Sequence, residues 1–302
     1  MKPSISDQVN SYDDYLILKN FSIATRKMYL RTLKRYLRFH NSRYAGQEIG
    51  KESAKQFILY RKKSGRSWPT INCDYSALRK YFREVVHKEW RLKKIPRPRK
   101  EDTLPKLISK QDVVKLINHA GTYKQQVFLC FVYATGMRLS EALNITFADI
   151  DRDRLQIRVN KGKGSKDRLI QIPSCLMLIL TDYYLHYKPE IYLFNGQKKG
   201  DKYSTSAAQW IMRQARKQKK LTKRASIHTL RHAYATHHLE SGTDLVYLKK
   251  QLGHKHLKTT ERYIHLCVNR SRTINHPINE LVKDLHWINQ SAIYSETTQK
   301  ST

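Results

Sequence analysis

Acidic residues are scarce in this chain of 302 residues, which has 25 Asp and Glu against 58 Lys and Arg and a formal net charge of +33. The excess is not confined to a tail, because residues 1–100 alone carry 25 basic and 8 acidic side chains. A positive charge distributed over the whole chain predicts a polyanionic partner, since Lys and Arg that neutralise phosphates release condensed counterions. Duplex DNA is the first candidate, and RNA or an anionic membrane surface are the alternatives.

Long apolar segments and paired cysteines are also missing. The sequence has no run of 18 apolar residues, so no segment is predicted to span a bilayer. Its N-terminal residues contain no apolar stretch typical of a secretion signal. The four cysteines are far apart and form no Cys-x-x-Cys pair, which argues against a disulfide framework and against a cysteine zinc site. These absences favour a cytoplasmic protein without a membrane partner.

Residues 1–90 are predicted to form a helical, DNA-binding domain. Ser22 is suited to cap a helix, because a hydroxyl at that position accepts a hydrogen bond from the first helical turn. The segment 91–106 contains three prolines and seven basic residues, which is typical of an extended linker between domains. Three helices are expected before this linker, over residues 22–40, 51–63 and 71–86.

Residues 107–285 are predicted to form a second domain of helices and a small sheet, followed by a polar tail over 286–302. Apolar residues alternate near 155–159 and again near 168–172, which indicates two antiparallel strands. The Gly- and Lys-rich segment between them predicts a hairpin with a flexible basic tip. Ser109 is suited to cap a helix over 110–120, and an apolar helix over 125–135 is expected to stop at Gly136.

Separated motifs in the second domain carry residue types suited to phosphodiester chemistry. Arginines present planar forks of donors to phosphate oxygens, and histidines donate to phosphate or move protons near neutral pH. A lysine can protonate a leaving oxygen, and an activated tyrosine is a nucleophile toward phosphorus. Together these cationic groups could stabilise a pentacoordinate transition state without a metal ion. The candidate residues, in chain order, are Arg138, Lys163, His228, Arg231, His254 and Tyr263.

This set of motifs resembles the tyrosine recombinase, or phage integrase, family, and its form is closest to the short Xer-type members. The resemblance covers residues 105–266 closely and the N-terminal helices loosely. It implies a mainly α fold with a small antiparallel β-sheet. A helical core-binding domain and a mixed α+β catalytic domain would form a C-shaped clamp on DNA.

The resemblance assigns three of the candidates to the scissile phosphate. Arg138 and Arg231 would clamp its non-bridging oxygens, and His254 would hydrogen-bond it. Glu141 lies one helical turn after Arg138 and is expected to orient that arginine. Taken alone, Arg138 could equally be a surface arginine near a helix start, so its assignment depends on the motifs that follow.

The resemblance assigns the remaining candidates to proton and strand transfer. Tyr263 would attack and form a 3′-phosphotyrosyl link, and His228 would assist proton transfer at the tyrosine. Lys163, in the hairpin tip, would be the general acid to the leaving 5′-hydroxyl. Lys161 and Lys166 are close alternatives that spacing does not exclude.

The resemblance implies a site-specific DNA recombinase that needs no cofactor, no ATP and no metal ion. It would act in the prokaryotic nucleoid on double-stranded DNA with paired recombination sites, as a tetramer assembled on DNA. An accessory directionality protein or a related recombinase as partner stays open. The rival functions are a topoisomerase of the same chemistry and a catalytically silent DNA-binding regulator. An apolar stripe near the C-terminus could pack on a neighbouring protomer or on its own domain: Leu281, Leu285 and Ile288.

Two metal sites compete with this interpretation. His228 and His232 stand four residues apart, as helix-borne zinc ligands do, but no glutamate between them completes a zinc-protease motif. Asp149, Asp151 and Asp153 could bind magnesium. Their position before a strand and beside arginines favours capping of a turn instead.

Overall fold

A computed structural model describes residues 4–88, 90, 107–160, 167–198, 200–218, 225–261 and 263–264. The chain divides into two compact units, residues 1–103 and 104–302. It is mainly α-helical with one small antiparallel sheet, as the sequence predicted. Three predicted features lie outside the described residues: the linker over 91–106, the hairpin tip with its lysines, and the C-terminal stripe and tail.

The described part of the first unit is built from helices. The Ser22 hydroxyl accepts a hydrogen bond from the Thr25 amide and so caps the second helix, as predicted. The first helix was not predicted, although Ser4 and Asp7 form a capping box at its start. The helices are α1 (Ile5–Leu18), α2 (Ile23–Arg43), α3 (Lys51–Lys63) and α4 (Trp68–Glu84).

Aromatic side chains fill the core of this unit and anchor its helices. Tyr12 of α1 is fully buried and donates a hydrogen bond to the carbonyl oxygen of Ala77 in α4 at 2.8 Å. Asp74 is buried beside Arg61, whose Nε lies 2.9 Å from the carboxylate, and Thr32 donates to the same carboxylate. Buried charges persist only when paired in this way, so this cluster fixes α2, α3 and α4 against one another.

The second unit contains the predicted helices around a separate apolar core. Ser109 caps its first helix, and the buried second helix ends at Gly136, both as predicted. A short four-residue helix then begins directly after Arg138. The helices are α5 (Lys110–Asn118), α6 (Tyr123–Thr135), α7 (Leu139–Ala142), α8 (Ser174–Tyr187), α9 (Thr205–Gln218), α10 (Ile227–Glu240), α11 (Leu245–Leu252) and α12 (Lys258–Glu261). Among the described residues, no helix is both long enough and apolar enough to cross a membrane.

One three-stranded antiparallel sheet, in the order β1-β2-β3, lies between α7 and α8 in the chain. Ile157 of β2 is paired with Ile170 of β3, and both are fully buried, so this face of the hairpin joins the core. The alternating pattern therefore predicted the hairpin correctly, although its strands are shorter than expected. The strands are β1 (Ile150–Asp151), β2 (Gln156–Val159) and β3 (Arg168–Gln171).

Candidate active site

Two helix C-termini lie beside the candidate residues. Helix α6 ends at Gly136 and α11 ends at Gly253, and both glycines adopt the left-handed conformation, with φ of 59° and 62°. A side chain at position 136 would collide with the ring of Tyr234 on α10, so only glycine fits there. The last carbonyl groups of a helix have no partner within the helix and carry the negative end of its dipole. These two ends are therefore suited to hold cations.

Arg231 joins the two helix ends. Its side chain lies on α10, is buried, and donates from Nη1 to the Gly136 carbonyl at 2.7 Å and from Nη2 to the Leu252 carbonyl at 2.6 Å. Burial, followed by the positive charge of Arg138, lowers the pKa of Arg231 to about 10. The guanidinium thus stays charged at neutral pH.

Arg138 lies at the start of α7, and its side chain also contacts the C-terminal end of α11. Its Nη2 donates to the Gly253 carbonyl at 3.2 Å, and its Nη1 donates to Glu141 at 2.7 Å. The Glu141 carboxylate also accepts the backbone N–H of Arg138 at 2.9 Å. The expectation that Glu141 orients Arg138 is therefore confirmed, while a quarter of the arginine side chain remains exposed.

A third arginine, which the motifs did not indicate, supports the other two. Arg168, the first residue of β3, makes two hydrogen bonds to Glu141, at 3.0 and 2.8 Å, and a third to the Gln251 carbonyl at 3.1 Å. Burial alone would raise the pKa of Glu141, but Arg168 and then Arg138 more than offset it and lower the pKa to about 2. The only signal in the sequence was a basic residue at a position where the alternation with Ile170 predicts an inward side chain.

His254, directly after the Gly253 cap, contacts the arginine cluster. Arg231 lies 3.1 Å from its Nε2, and because a guanidinium only donates, Nε2 must accept that hydrogen bond. The proton of the ring therefore sits on Nδ1, which donates to Thr260 of α12 at 2.8 Å. Burial and then the charges of Arg231 and Arg138 lower the pKa of His254 to about 4, so the ring is neutral at neutral pH.

Tyr263 lies directly beyond this cluster. The side chain is 5% exposed, and its ring is parallel to that of His254, with 6.3 Å between the two centroids. Its hydroxyl forms a hydrogen bond of 2.9 Å with Nδ1 of His232, not with the predicted His228. The structure thus brings together Arg138, Arg231, His254 and Tyr263, which the sequence placed far apart.

Two predicted site residues remain outside this contact network. His228 lies one turn before His232 on α10, is exposed, and makes no side-chain hydrogen bond to another described residue. Lys163, like Lys161 and Lys166, lies outside the described residues. The strand that follows their segment begins with Arg168, so the hairpin leads directly into the arginine cluster.

The competing metal sites find no support in the described ranges, where no group of three or more His, Cys, Asp or Glu side chains is placed to hold a metal ion. His232, one member of the candidate zinc pair, contacts Tyr263. Asp149 accepts hydrogen bonds from the amide and hydroxyl of Thr146, and Asp151 accepts one from the Arg154 amide. These aspartates cap turns, as the sequence favoured.

Comparison with protein-family models gives two matches that together cover most of the chain. Residues 106–270 match the phage integrase family, and residues 9–92 match the phage integrase N-terminal SAM-like domain. The first match alone contains every candidate residue named above. The family expected from the motifs is therefore confirmed independently of the site geometry.

Two recombinase sequences are similar to this chain over most of its length. A putative integrase/recombinase y4qK of Sinorhizobium fredii is 31% identical over 87% of this chain and 86% of its own length. A tyrosine recombinase XerA of Thermococcus onnurineus is 31% identical over 89% of this chain and 94% of its own length.

Solved structures show the same fold. A lambda integrase fragment, solved as a dimer bound to a core site, matches with a TM-score of 0.69 and 16% identity over 83% of this chain and 95% of that one. The XerH recombinase bound to its difH substrate matches with a TM-score of 0.67 and 19% identity over 89% of this chain and 83% of that one.

Proposed function

The chain belongs to the phage integrase family of tyrosine recombinases, and on that basis we propose that it is a site-specific recombinase that cuts and rejoins duplex DNA through a 3′-phosphotyrosyl link. The observation that carries this proposal is that Arg231 contacts His254 and that the ring of Tyr263 is stacked beside His254, next to the arginine cluster. Two arginines beside a single tyrosine are suited to phosphoryl transfer, because their charge neutralises the charge that develops on the phosphate oxygens.

The scissile phosphate is assigned to the arginine cluster. Arg231 has five N–H groups, of which the described contacts use three, and Arg138 is partly exposed. Backbone carbonyls hold both guanidinium groups in place before any DNA binds, so little reorganisation is needed when a phosphate binds. Nε2 of His254 accepts a hydrogen bond from Arg231 and so helps to hold that guanidinium in place. His228 is exposed one turn away on α10, where it would contact the DNA backbone.

Strand cleavage is assigned to Tyr263 and Lys163. The tyrosine oxygen attacks phosphorus, the bond to the 5′-oxygen breaks, and Lys163 protonates that oxygen as it leaves. The phosphotyrosyl link keeps the bond energy, so a 5′-hydroxyl from the same or another strand can reverse the step without ATP. The side chains named here supply the positive charge that other phosphoryl-transfer enzymes take from metal ions.

The first unit is assigned to DNA binding. One face of α2 carries exposed basic side chains at helical spacing, and this arrangement suits contacts with successive phosphates along a groove. Such contacts position the protein on the duplex without reading its sequence. The residues of this face are Lys27, Arg31, Lys34, Arg35 and Arg38.

Exchange of strands between two duplexes requires four active sites, so we assign a tetramer on paired DNA sites to the active form. The solved XerH structure of similar fold holds its difH substrate, and the lambda integrase structure holds a core site, which supports a DNA substrate here. Joining of ends from two different duplexes distinguishes a recombinase from a topoisomerase, which only reseals its own strand.

The test uses a pool of randomised duplexes that carry a nick near the cleavage position, so that the released end is lost and the covalent link accumulates. We expect a DNA adduct that survives denaturation in SDS and forms in the presence of EDTA. Sequencing the adducted DNA identifies the recognition site.

Tyr263→Phe is the matched control, because it removes one oxygen and keeps the ring. This variant should bind the recovered DNA sequence with the affinity of the native chain and form no adduct. An SDS-resistant adduct in Tyr263→Phe would show that another residue is the nucleophile. Loss of the native adduct in EDTA would show that a metal ion takes part.

A further inference from the structure

The Tyr263 hydroxyl has a partner that the sequence motifs do not assign a role. Nδ1 of His232 lies 2.9 Å from the tyrosine oxygen, and the two ring centroids are 5.6 Å apart. A phenol must lose its proton to become an effective nucleophile, and a neutral imidazole nitrogen is a good acceptor near neutral pH. This contact therefore places a proton acceptor on the reacting oxygen itself.

We propose that His232 is the general base that takes the phenolic proton of Tyr263 during cleavage and the acid that returns it during rejoining. The inference rests on the proposed function, because it assigns a role within the same reaction. It moves the step at the tyrosine from His228, as expected from the sequence, to the next turn of α10.

The transfer balances in atoms and charges. As the tyrosine oxygen forms its bond to phosphorus, its O–H bond breaks and the proton passes to Nδ1 of His232. The bond from phosphorus to the 5′-oxygen breaks with its electron pair on oxygen, and Lys163 supplies the proton for the 5′-hydroxyl. On rejoining, the 5′-hydroxyl returns its proton to Lys163, and the departing tyrosine recovers its own from His232.

The surroundings of the contact suit this transfer. Among the described residues, His254 after α11 and Tyr263 face His232, and Arg231 precedes it on the same helix and contacts His254. Arg231 is close enough to interact with charge on Tyr263, so it would stabilise the phenolate oxygen while the proton leaves. His254 is neutral at neutral pH and already donates to Thr260, so its proton is engaged elsewhere.

His228 is less suited to the step by position. Four residues along a helix correspond to a rise of about 6 Å, so His228 and His232 share one face of α10 but reach different places. His228 is exposed, whereas His232 is partly buried against the tyrosine ring.

The test compares His232→Asn with His228→Asn in single-turnover cleavage of the DNA sequence that the native chain selects. Asparagine can still hydrogen-bond the tyrosine but cannot take its proton. We expect His232→Asn to cleave about 10²- to 10⁴-fold more slowly at neutral pH and to bind DNA with native affinity. Its rate should rise steadily with pH, because the tyrosine must then ionise unaided. His228→Asn should weaken DNA binding and keep the native shape of the pH profile.

Failure of this inference and failure of the proposed function give different results. If the native chain forms no adduct, the proposed function is wrong. If the native adduct forms and His232→Asn cleaves at the native rate with the native pH profile, the inference is wrong.

A measurement on the protein without DNA also tests the role of His232, even if the His232→Asn variant does not fold. In the native chain, ¹⁵N NMR should show Nδ1 of His232 without a proton and accepting from the tyrosine, and its signal should shift in Tyr263→Phe. A protonated Nδ1 in the native chain would overturn the assignment.

Discussion

Arg168 and Glu141 form a two-bond ion pair although they are 27 residues apart in sequence, and the same carboxylate holds Arg138. Glu141 thus joins the hairpin strand β3 to helix α7. Since β3 follows the segment that contains Lys163, this pair connects the base of the lysine hairpin to the arginine that we assign to the phosphate. Arg168 on β3 and Arg138 at the start of α7 therefore share one buried carboxylate.

Replacing Arg168 with lysine should therefore impair the site without removing a charge. Lysine cannot make the two-bond contact with Glu141 together with the bond to the Gln251 carbonyl. We expect a loss of about 1–3 kcal/mol in unfolding free energy of the second unit, for the hydrogen bonds that lysine cannot make, and slower cleavage. Denaturation and single-turnover cleavage measure both effects.

Arg158→Ala is the matched control for Arg168. Arg158 lies on the neighbouring strand and pairs with Asp167, but its side chain is 62% exposed. Its removal should change stability by less than about 0.5 kcal/mol. Equal losses in the two variants would contradict the proposed importance of the Arg168–Glu141 pair.

Gly253→Ala should disturb the arginine cluster directly. An added Cβ would lie 2.9 Å from three atoms of Arg168, at a φ of 62° that alanine rarely adopts. Gly242→Ala is the matched control, because its φ is 83° and nothing lies within 4 Å of the added carbon. Both changes cost about 1 kcal/mol of backbone strain, and only Gly253→Ala should also slow cleavage. Equal cleavage rates in the two variants would refute the contact.

Lys163→Ala should be rescued by substrate chemistry. A 5′-bridging phosphorothiolate leaves as a thiolate that needs no proton, so its cleavage should stay near the native rate. Cleavage of ordinary DNA should fall by about 10²- to 10⁴-fold. Lys161→Ala and Lys166→Ala serve as controls, and selective rescue of either one would transfer the role of general acid to that lysine.

Arg231→Ala should lower stability together with activity. Removing the guanidinium leaves the carbonyl groups of Gly136 and Leu252 without this partner, at a cost of about 1–3 kcal/mol for each buried group. Hydrogen exchange of α10 and α11 measures this loss. Arg213→Ala, at an exposed position of α9, should leave the exchange unchanged. Native protection in Arg231→Ala would mean that the carbonyls need no cation.

The second unit should lose stability as the pH falls from 6.5 to about 4. The pKa of His254 is lowered from 6.5 to about 4 in the folded chain, so the unfolded chain binds more protons in that window. His237 and His238 contribute in the same direction, because burial also lowers their pKa values. Glu141 adds its loss below pH 4.5, since its folded pKa is about 2.

The variant His254→Asn measures how much of this pH dependence of stability is due to His254. Hydrogen exchange of the second unit at pH 6.5 and 4.5 should show a smaller decrease in the variant than in the native chain. An identical decrease in both would mean that burial of His254 does not depress its pKa.

The sequence predicted the elements of this fold better than the contacts between them. Helices α2, α3, α5 and α6 and the hairpin follow from caps, periodicity and alternation, which are local signals. Helix α1 was missed although Ser4 and Asp7 cap it.

The candidate site shows the same difference between local signals, which the sequence reveals, and tertiary contacts, which it does not. Residue types and order indicated Arg138, Arg231, His254 and Tyr263, and Glu141 was expected from its one-turn spacing. The contributions of Arg168 and His232 could not be predicted, because each depends on a tertiary contact between elements far apart in sequence.

Many enzymes become more stable when an active-site residue is replaced, because function keeps strained or unpaired groups in place. Arg231 is an exception to this conflict between stability and function. The residue that would hold the phosphate also donates hydrogen bonds to the carbonyl groups at two helix ends. A descendant of this chain released from selection for recombination should therefore retain Arg231 under mutational drift. It should lose the tyrosine hydroxyl first, so a surviving arginine is weaker evidence of activity than a surviving tyrosine.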